Sequence, residues 1–183
     1  MDKLFNAGKE FLESQNQRQD QRGDNDEEFR NAHDEASRLA GSSGNSAMFS
    51  QIMGAIGQKK GQIANEDLDE EDAISKYKHA YQNDGRGDET TLGVAAAMQA
   101  LKKFNQGEGS GSSGASQSQG SFVAIAMSEA SKLFDSKAAD GKIADGASKE
   151  STVQKAGEMA MKMYFKSQGQ QQGGLMGLAS KFM

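Results

Sequence analysis

LGVAAAMQALKKF, Leu92 to Phe104, decides the fold. Ala, Leu, Met, Gln and Lys, which make up most of it, are good helix formers, and no Pro interrupts the stretch or occurs anywhere in the chain. Ala96, Ala100 and Phe104 stand four residues apart, so they share one stripe of a helix: small, small, large. Thirty residues on, the same stripe returns as Ala126, Ala130 and Phe134, with Lys132 where Lys102 stood. It returns again as Ala156, Ala160, Lys162 and Tyr164. Small residues let helices approach closely, and the aromatic closes the end of the contact. The repetition predicts three related helices packed on one another, with Phe104, Phe134 and Tyr164 in contact or at least all buried.

Outward from these helices the chain alternates amphipathic segments with polar spacers. A helix is expected over 26–40, with Phe29, Ala32, Ala36 and Leu39 inward and Gly41 as its stop. Asn45 caps the next, over 46–60, which presents Met48, Phe49, Ile52, Met53 and Ile56. Asn65 is expected to cap a third, with Glu66 and Asp67 favourable in its first turn. That helix would bury Leu68, Ala73, Ile74, Tyr77 and Tyr81 and end near Asp84-Gly85-Arg86-Gly87. Further helices are read over 88–105, 121–138 and 148–167.

Three spacers carry almost no large apolar residue: 15–25, 106–120 (Gly/Ser-rich) and 167–174. They divide the chain into an N-terminal arm (1–14), a first helical half (26–105), a second half (121–166) and a C-terminal arm (175–183). The arms resemble each other. Leu4, Phe5, Ala7, Gly8, Phe11 and Leu12 match Leu175, Met176, Leu178, Ala179, Phe182 and Met183 at a constant offset, and each set forms one short amphipathic stripe. Helices this short are marginal in water alone, so each arm needs a surface to fold against. The fold class is therefore all-α: a bundle of about six helices with a flexible Gly/Ser insert and a short amphipathic helix at each terminus.

Composition narrows function by exclusion. Hydrophobic residues make up 35% of the chain, below the roughly 45–50% usual in globular proteins when Gly is counted. With no Cys there is no disulfide framework, thiolate zinc site or Cys nucleophile. Net charge is −5, split as +2 over residues 121–183 (8 Lys against 6 acids) and −7 over the rest. An acidic chain without a basic patch points away from nucleic acid, whose affinity rests on phosphate neutralisation. No apolar run has the length of a signal peptide or a membrane span, so a cytoplasmic location is expected.

Residues that could carry chemistry are few. His33 has Phe29 and Ser37 four residues away, and His79 has Ser75 and Asn83, none a good metal ligand. The acidic run Glu66–Asp72 lacks the central Gly of a calcium loop. Ser136–Ala147 carries Asp140-Gly141 at its centre but has Ser136, Ala138 and Ala147 at ligand positions. No phosphate-binding loop or nucleophile elbow appears. Met159, Met161 and Met163, with Met98 and Met127, read as core filling, the alternative being an adaptable binding surface. No catalytic or metal-binding residue, no cofactor and no small-molecule substrate is assigned.

Several strings together resemble a family of small uncharacterised fungal proteins, the beta-flanking proteins. They are SSGNSAMFSQIMGAI at 42–56, QIANEDLDEEDAISKYKHAY at 62–81, LGVAAAMQALKKF at 92–104, FVAIAMSEASKLFD at 122–135, GASKESTVQKAGEMAMKMYFKS at 146–167 and GLMGLASKFM at 174–183. The resemblance implies a fungal source and an intracellular protein, and it brings no catalytic residues with it. From the residues themselves, the leading expectation is a non-catalytic protein that binds partners or self-assembles into an oligomer or filament. Its contact surfaces would be the arms and the Ala-lined helices. The alternatives are a peripheral protein of a membrane surface and, third, an enzyme of unrecognised type. Membrane binding ranks below assembly because Lys3 and Lys9 are offset by Asp2, Glu10 and Glu13, and the C-terminal arm has only Lys181.

Overall fold

A computed structural model describes Phe29, residues 31–107, residues 118–169 and Ser180. The expected N-terminal arm and its linker, the middle of the Gly/Ser insert and, apart from Ser180, residues 170–183 lie outside the described residues; the first three residues of the expected last spacer, 167–169, instead belong to the final helix. Within them the chain is an all-α bundle: α1 (31–40), α2 (Ser46–Ile63), α3 (Glu70–Tyr77), α4 (Glu89–Asn105), α5 (Gln119–Ala139) and α6 (Lys149–Gly169). A short 3-10 turn, Gly41–Ser43, separates α1 from α2, and a π-helical turn, Lys78–Gln82, prolongs α3.

Five of the helix starts are set by a polar side chain, that of α6 by Ser148, whose hydroxyl accepts from the Ser151 N–H at 3.1 Å. Asn45, Asp69, Asp88 and Ser118 accept hydrogen bonds from the backbone N–H groups of Met48, Asp72, Thr91 and Ser121, satisfying donors that a first helical turn leaves without partners. One expected cap is corrected. Asn65 does not open α3; its side-chain amide donates to the carbonyl of Gly61 at 2.8 Å and so finishes α2. Asp69 takes the capping role because it is followed by Glu70, Glu71 and Asp72, which load the first turn more fully than Glu66 and Asp67 could.

The Ala-lined helices form the centre. α4, α5 and α6 each pack on the other two, α3 lies on α4, and α2 lies on α6. Ala96, Ala100, Ala126, Ala130, Ala156 and Ala160 are all fully buried. At Gly93 the backbones nearly touch: a Cβ built there would lie 2.9 Å from the Thr152 carbonyl oxygen and 3.1 Å from the Ala156 nitrogen. Around this spine Leu92, Met98, Leu101, Phe122, Met127, Val153, Met161 and Met163 fill the core, and Met159 is half-buried at its edge.

The expected meeting of Phe104, Phe134 and Tyr164 does not occur, and chain direction is the reason. The Phe104 ring lies 5.0 Å from that of Phe122 at the start of α5, while Gly87, before α4, pairs with Ile143, after α5. α4 and α5 are therefore antiparallel, which puts Phe134 at the opposite end of the bundle from Phe104. Phe104 is buried; Phe134 and Tyr164 are half-buried against the core.

Candidate interaction surface

Two corners of the bundle gather its polar and aromatic side chains. The first lies where α2 and α6 end together. Lys59 bonds Glu158 at 2.9 Å, Lys162 bonds Glu66 at 2.7 Å, and Lys166 approaches Asp67 at 3.6 Å, so the two helices run in the same direction. The Lys60 ammonium sits over two rings, 5.5 Å from the centroid of Phe29 and 6.0 Å from that of Phe165. A groove of about 290 Å³ opens beside them, lined by Ala64 to Asp67 from the turn after α2 and by Lys162, Phe165 and Lys166 from α6. The half-buried ring of Phe165 and the exposed Ala64 line it among charged side chains from both elements.

The opposite corner is a clamp between the loops after α3 and after α5. Gly87 donates its backbone N–H to the Lys142 carbonyl and accepts from the Ala144 N–H, and Arg86 donates from Nε to the Ile143 carbonyl at 2.8 Å and from Nη2 to Asp145 at 3.2 Å. Lys137, although buried, keeps its charge partnered by Asp84 at 2.6 Å and by the Gly85 carbonyl at 3.2 Å; Lys142 bonds the other Asp84 oxygen. The hydrogen bond from Lys137, and then that from Lys142, hold the Asp84 carboxyl at about 2, well below the usual carboxylate range. Asp84 has φ +49°, a left-handed conformation that Asp tolerates better than most residues.

A third polar group lies inside the bundle. Glu129, almost fully buried, accepts from Lys103 at 2.9 Å and lies 3.7 Å from Lys132. Burial, and then the Glu129 charge, push the Tyr81 phenol well above its ordinary value. The Tyr77 hydroxyl donates to Gln99 at 3.0 Å. The expected histidine positions find local partners: His79 Nε2 is 2.9 Å from the Arg86 carbonyl, and His33 is 3.3 Å from Asp34. Among the described residues no group of three or more His, Asp or Glu side chains is placed to hold a metal ion.

Of the residues singled out in the sequence, the six alanines are all buried on helices that pack together, while Phe104, Phe134 and Tyr164 divide between the two ends. Leu4, Phe5, Phe11, Leu12, Leu175, Met176, Leu178 and Phe182 lie outside the described residues. Sequence reasoning missed the Asp84–Lys137 clamp and the groove at the ends of α2 and α6. The only signal for the clamp was the turn-forming Asp84-Gly85-Arg86-Gly87; that for the groove was Phe165, one turn from the last spacer.

No described helix is long and apolar enough to cross a membrane. No curated protein and no solved structure matches the chain. One family model, described as a domain of unknown function (DUF7721), matches residues 28–109, so the similarity runs from just before α1 to just past α4.

Proposed function

We propose that this chain is a non-catalytic, cytoplasmic interaction and self-assembly protein of the fungal beta-flanking kind, in which a rigid bundle presents two amphipathic arms. One observation supports the reading: the two ends of the described bundle meet at the same corner. Phe29, where the N-terminal linker meets the bundle, and Phe165, one turn before the end of α6, flank the same Lys60 ammonium. Two matched apolar segments linked to one corner would bind a common surface with an effective concentration their separate affinities do not supply. The displaced titrations support a non-catalytic role, since Asp84 and Glu158 sit in ion pairs and Tyr81 is packed away in the bundle.

Removal of residues 1–14 and 174–183, followed by sedimentation and by liposome co-pelleting, tests the proposal. An oligomer that becomes a monomer on removal is the expected result. Unchanged mass with lost pelleting would assign the arms to a membrane surface instead, and unchanged mass and pelleting would end the assembly reading.

A further inference from the structure

We infer that Asp145-Gly146, in the loop between α5 and α6, is a site of spontaneous isoaspartate formation in the folded protein. It is thereby the position at which the chain takes a methyl group from an S-adenosylmethionine-dependent isoaspartyl methyltransferase. The inference does not depend on the proposed function.

The chemistry is a rearrangement of the backbone by its own side chain. The Gly146 nitrogen attacks the Asp145 side-chain carbon Cγ, and a carboxyl oxygen leaves as water together with the amide hydrogen. The five-membered imide so formed then takes up one water. Addition at the former main-chain carbonyl leaves the chain running through the Asp145 side chain, with the old α-carboxyl free. Nothing is oxidised or reduced, and the mass of the product equals that of the parent. Three conditions favour the attack. The following residue must be uncrowded and free to turn, which glycine supplies. Its N–H must not be held in a hydrogen bond, and the carboxyl must not be held in place by ion pairs.

The chain has three Asp-Gly pairs and no Asn-Gly pair, and the structure separates the three. At Asp84 both carboxyl oxygens are held, one by Lys137 and the other by Lys142, and the Gly85 N–H donates to the His79 carbonyl at 2.9 Å. Asp140 closes α5, and there the Gly141 N–H donates to the Ala138 carbonyl at 3.1 Å. Asp145 differs on each count. Its side chain is fully exposed, and its partner, Arg86 at 3.2 Å, is itself more than half exposed, so the pair restrains it little. Residues 145 and 146 form the middle of a turn closed by the Ala147 N–H donating to the Ala144 carbonyl at 3.2 Å. The Gly146 N–H makes no hydrogen bond among the described residues. Nothing packs over Gly146, since a Cβ built there meets no atom within 4 Å.

The position gives the change a consequence. Isomerisation adds one atom to the main chain between Ile143, which pairs with Gly87, and Ser148, which caps α6, and it draws the carboxylate away from Arg86. The clamp between the two loops therefore loosens as the residue ages.

The test uses the full-length protein, kept for several weeks at neutral pH and body temperature, with a parallel sample in urea. Both are labelled with isoaspartyl methyltransferase and radioactive S-adenosylmethionine, and the labelled peptides are mapped by mass spectrometry. Expected is label at residue 145 accumulating in the native protein nearly as fast as in urea, while label at 84 and 140 accumulates severalfold more slowly in the native protein than in urea. Asp145→Glu, which cannot close a five-membered imide, should remove the label from that peptide. Severalfold suppression at residue 145 on folding would overturn the inference, as would native label at 84 or 140 that matches it, or label that survives Asp145→Glu.

Discussion

Gly93→Ala is expected to destabilise the bundle even though alanine is the better helix former. Relief of the glycine penalty in a helix interior favours the substitution by about 1 kcal/mol. Against this, the new Cβ would lie 2.6 Å from the Lys155 Cβ, 2.9 Å from the Thr152 carbonyl oxygen and 3.1 Å from the Ala156 nitrogen. Carbon atoms in contact prefer about 3.5–4.0 Å, so the shortfall is roughly 1 Å. Two of the three atoms belong to the α6 backbone and cannot turn away; α4 and α6 must move apart. Overpacking of this kind costs roughly 1–3 kcal/mol, and a backbone clash belongs at the upper end, leaving a net loss of about 1–2 kcal/mol. For a chain of 183 residues this lowers the melting temperature by roughly 3–6 °C. The same substitution at Gly54 or Gly57 of α2, where an added Cβ meets nothing within 4 Å, keeps only the favourable part and should raise it. Thermal unfolding followed by circular dichroism measures all three variants. If Gly93→Ala raises the melting temperature as the α2 variants do, the helices do not cross at Gly93 and the small-residue account of the core fails.

Phe104→Ala should cost about 3–5 kcal/mol in urea unfolding, the usual range for a core aromatic. Phe134→Ala, at a half-buried position, should cost clearly less, and equal losses would contradict the antiparallel arrangement. Asp84 has a depressed carboxyl pKa, so its contribution is present above the unfolded value near 4 and is lost as pH falls toward about 2. The melting-temperature gap between the parent and Asp84→Asn should therefore shrink across that window; a gap that stays constant would exclude Asp84 as the group responsible. A fragment of residues 26–105 should lack cooperative unfolding, because α4 buries Leu92, Met98 and Leu101 in a core shared with α5 and α6. A sharp two-state transition in that fragment would show that the first half folds alone.

The helices were legible because their signals are local. Each apolar stripe spans fewer than twenty residues, and a capping side chain lies three residues from the amide it serves; Asn45 and the ends of α4 could be read directly. Asn65 was misread for the same reason, since two cap-like residues stand four apart and acids follow both, more of them after Asp69. The alanine stripes fall at buried positions of three mutually packed helices, as a close helix crossing requires small side chains wherever it occurs along the pair. They carried no information on direction. The pattern reads the same whether two helices run together or opposed, and connection length alone, with a long Gly/Ser insert between α4 and α5, did not decide it. Phe104 and Phe134 consequently occupy equal places in the repeat and opposite ends of the bundle.

The clamp shows why the remaining interactions were not legible. Asp84 and Lys137 are 53 residues apart in sequence, and neither residue type nor its neighbours mark them as partners. A lysine on the last turn of a helix ordinarily reads as a solvated charge favourable to the helix dipole. Here the loop after α3 folds over it and the ammonium becomes buried, which would be costly without Asp84 and the Gly85 carbonyl to receive it. The loop holds that position because Gly87 and Ile143 pair along their backbones, and a bulky residue at Gly87 would run into Leu92, 2.6 Å from the site of its Cβ. The ion pair is thus a consequence of how the halves dock and fixes their register at one end. At the other end the long-range contacts gather around Lys60, whose ammonium joins Phe29 before α1 to Phe165 near the end of α6.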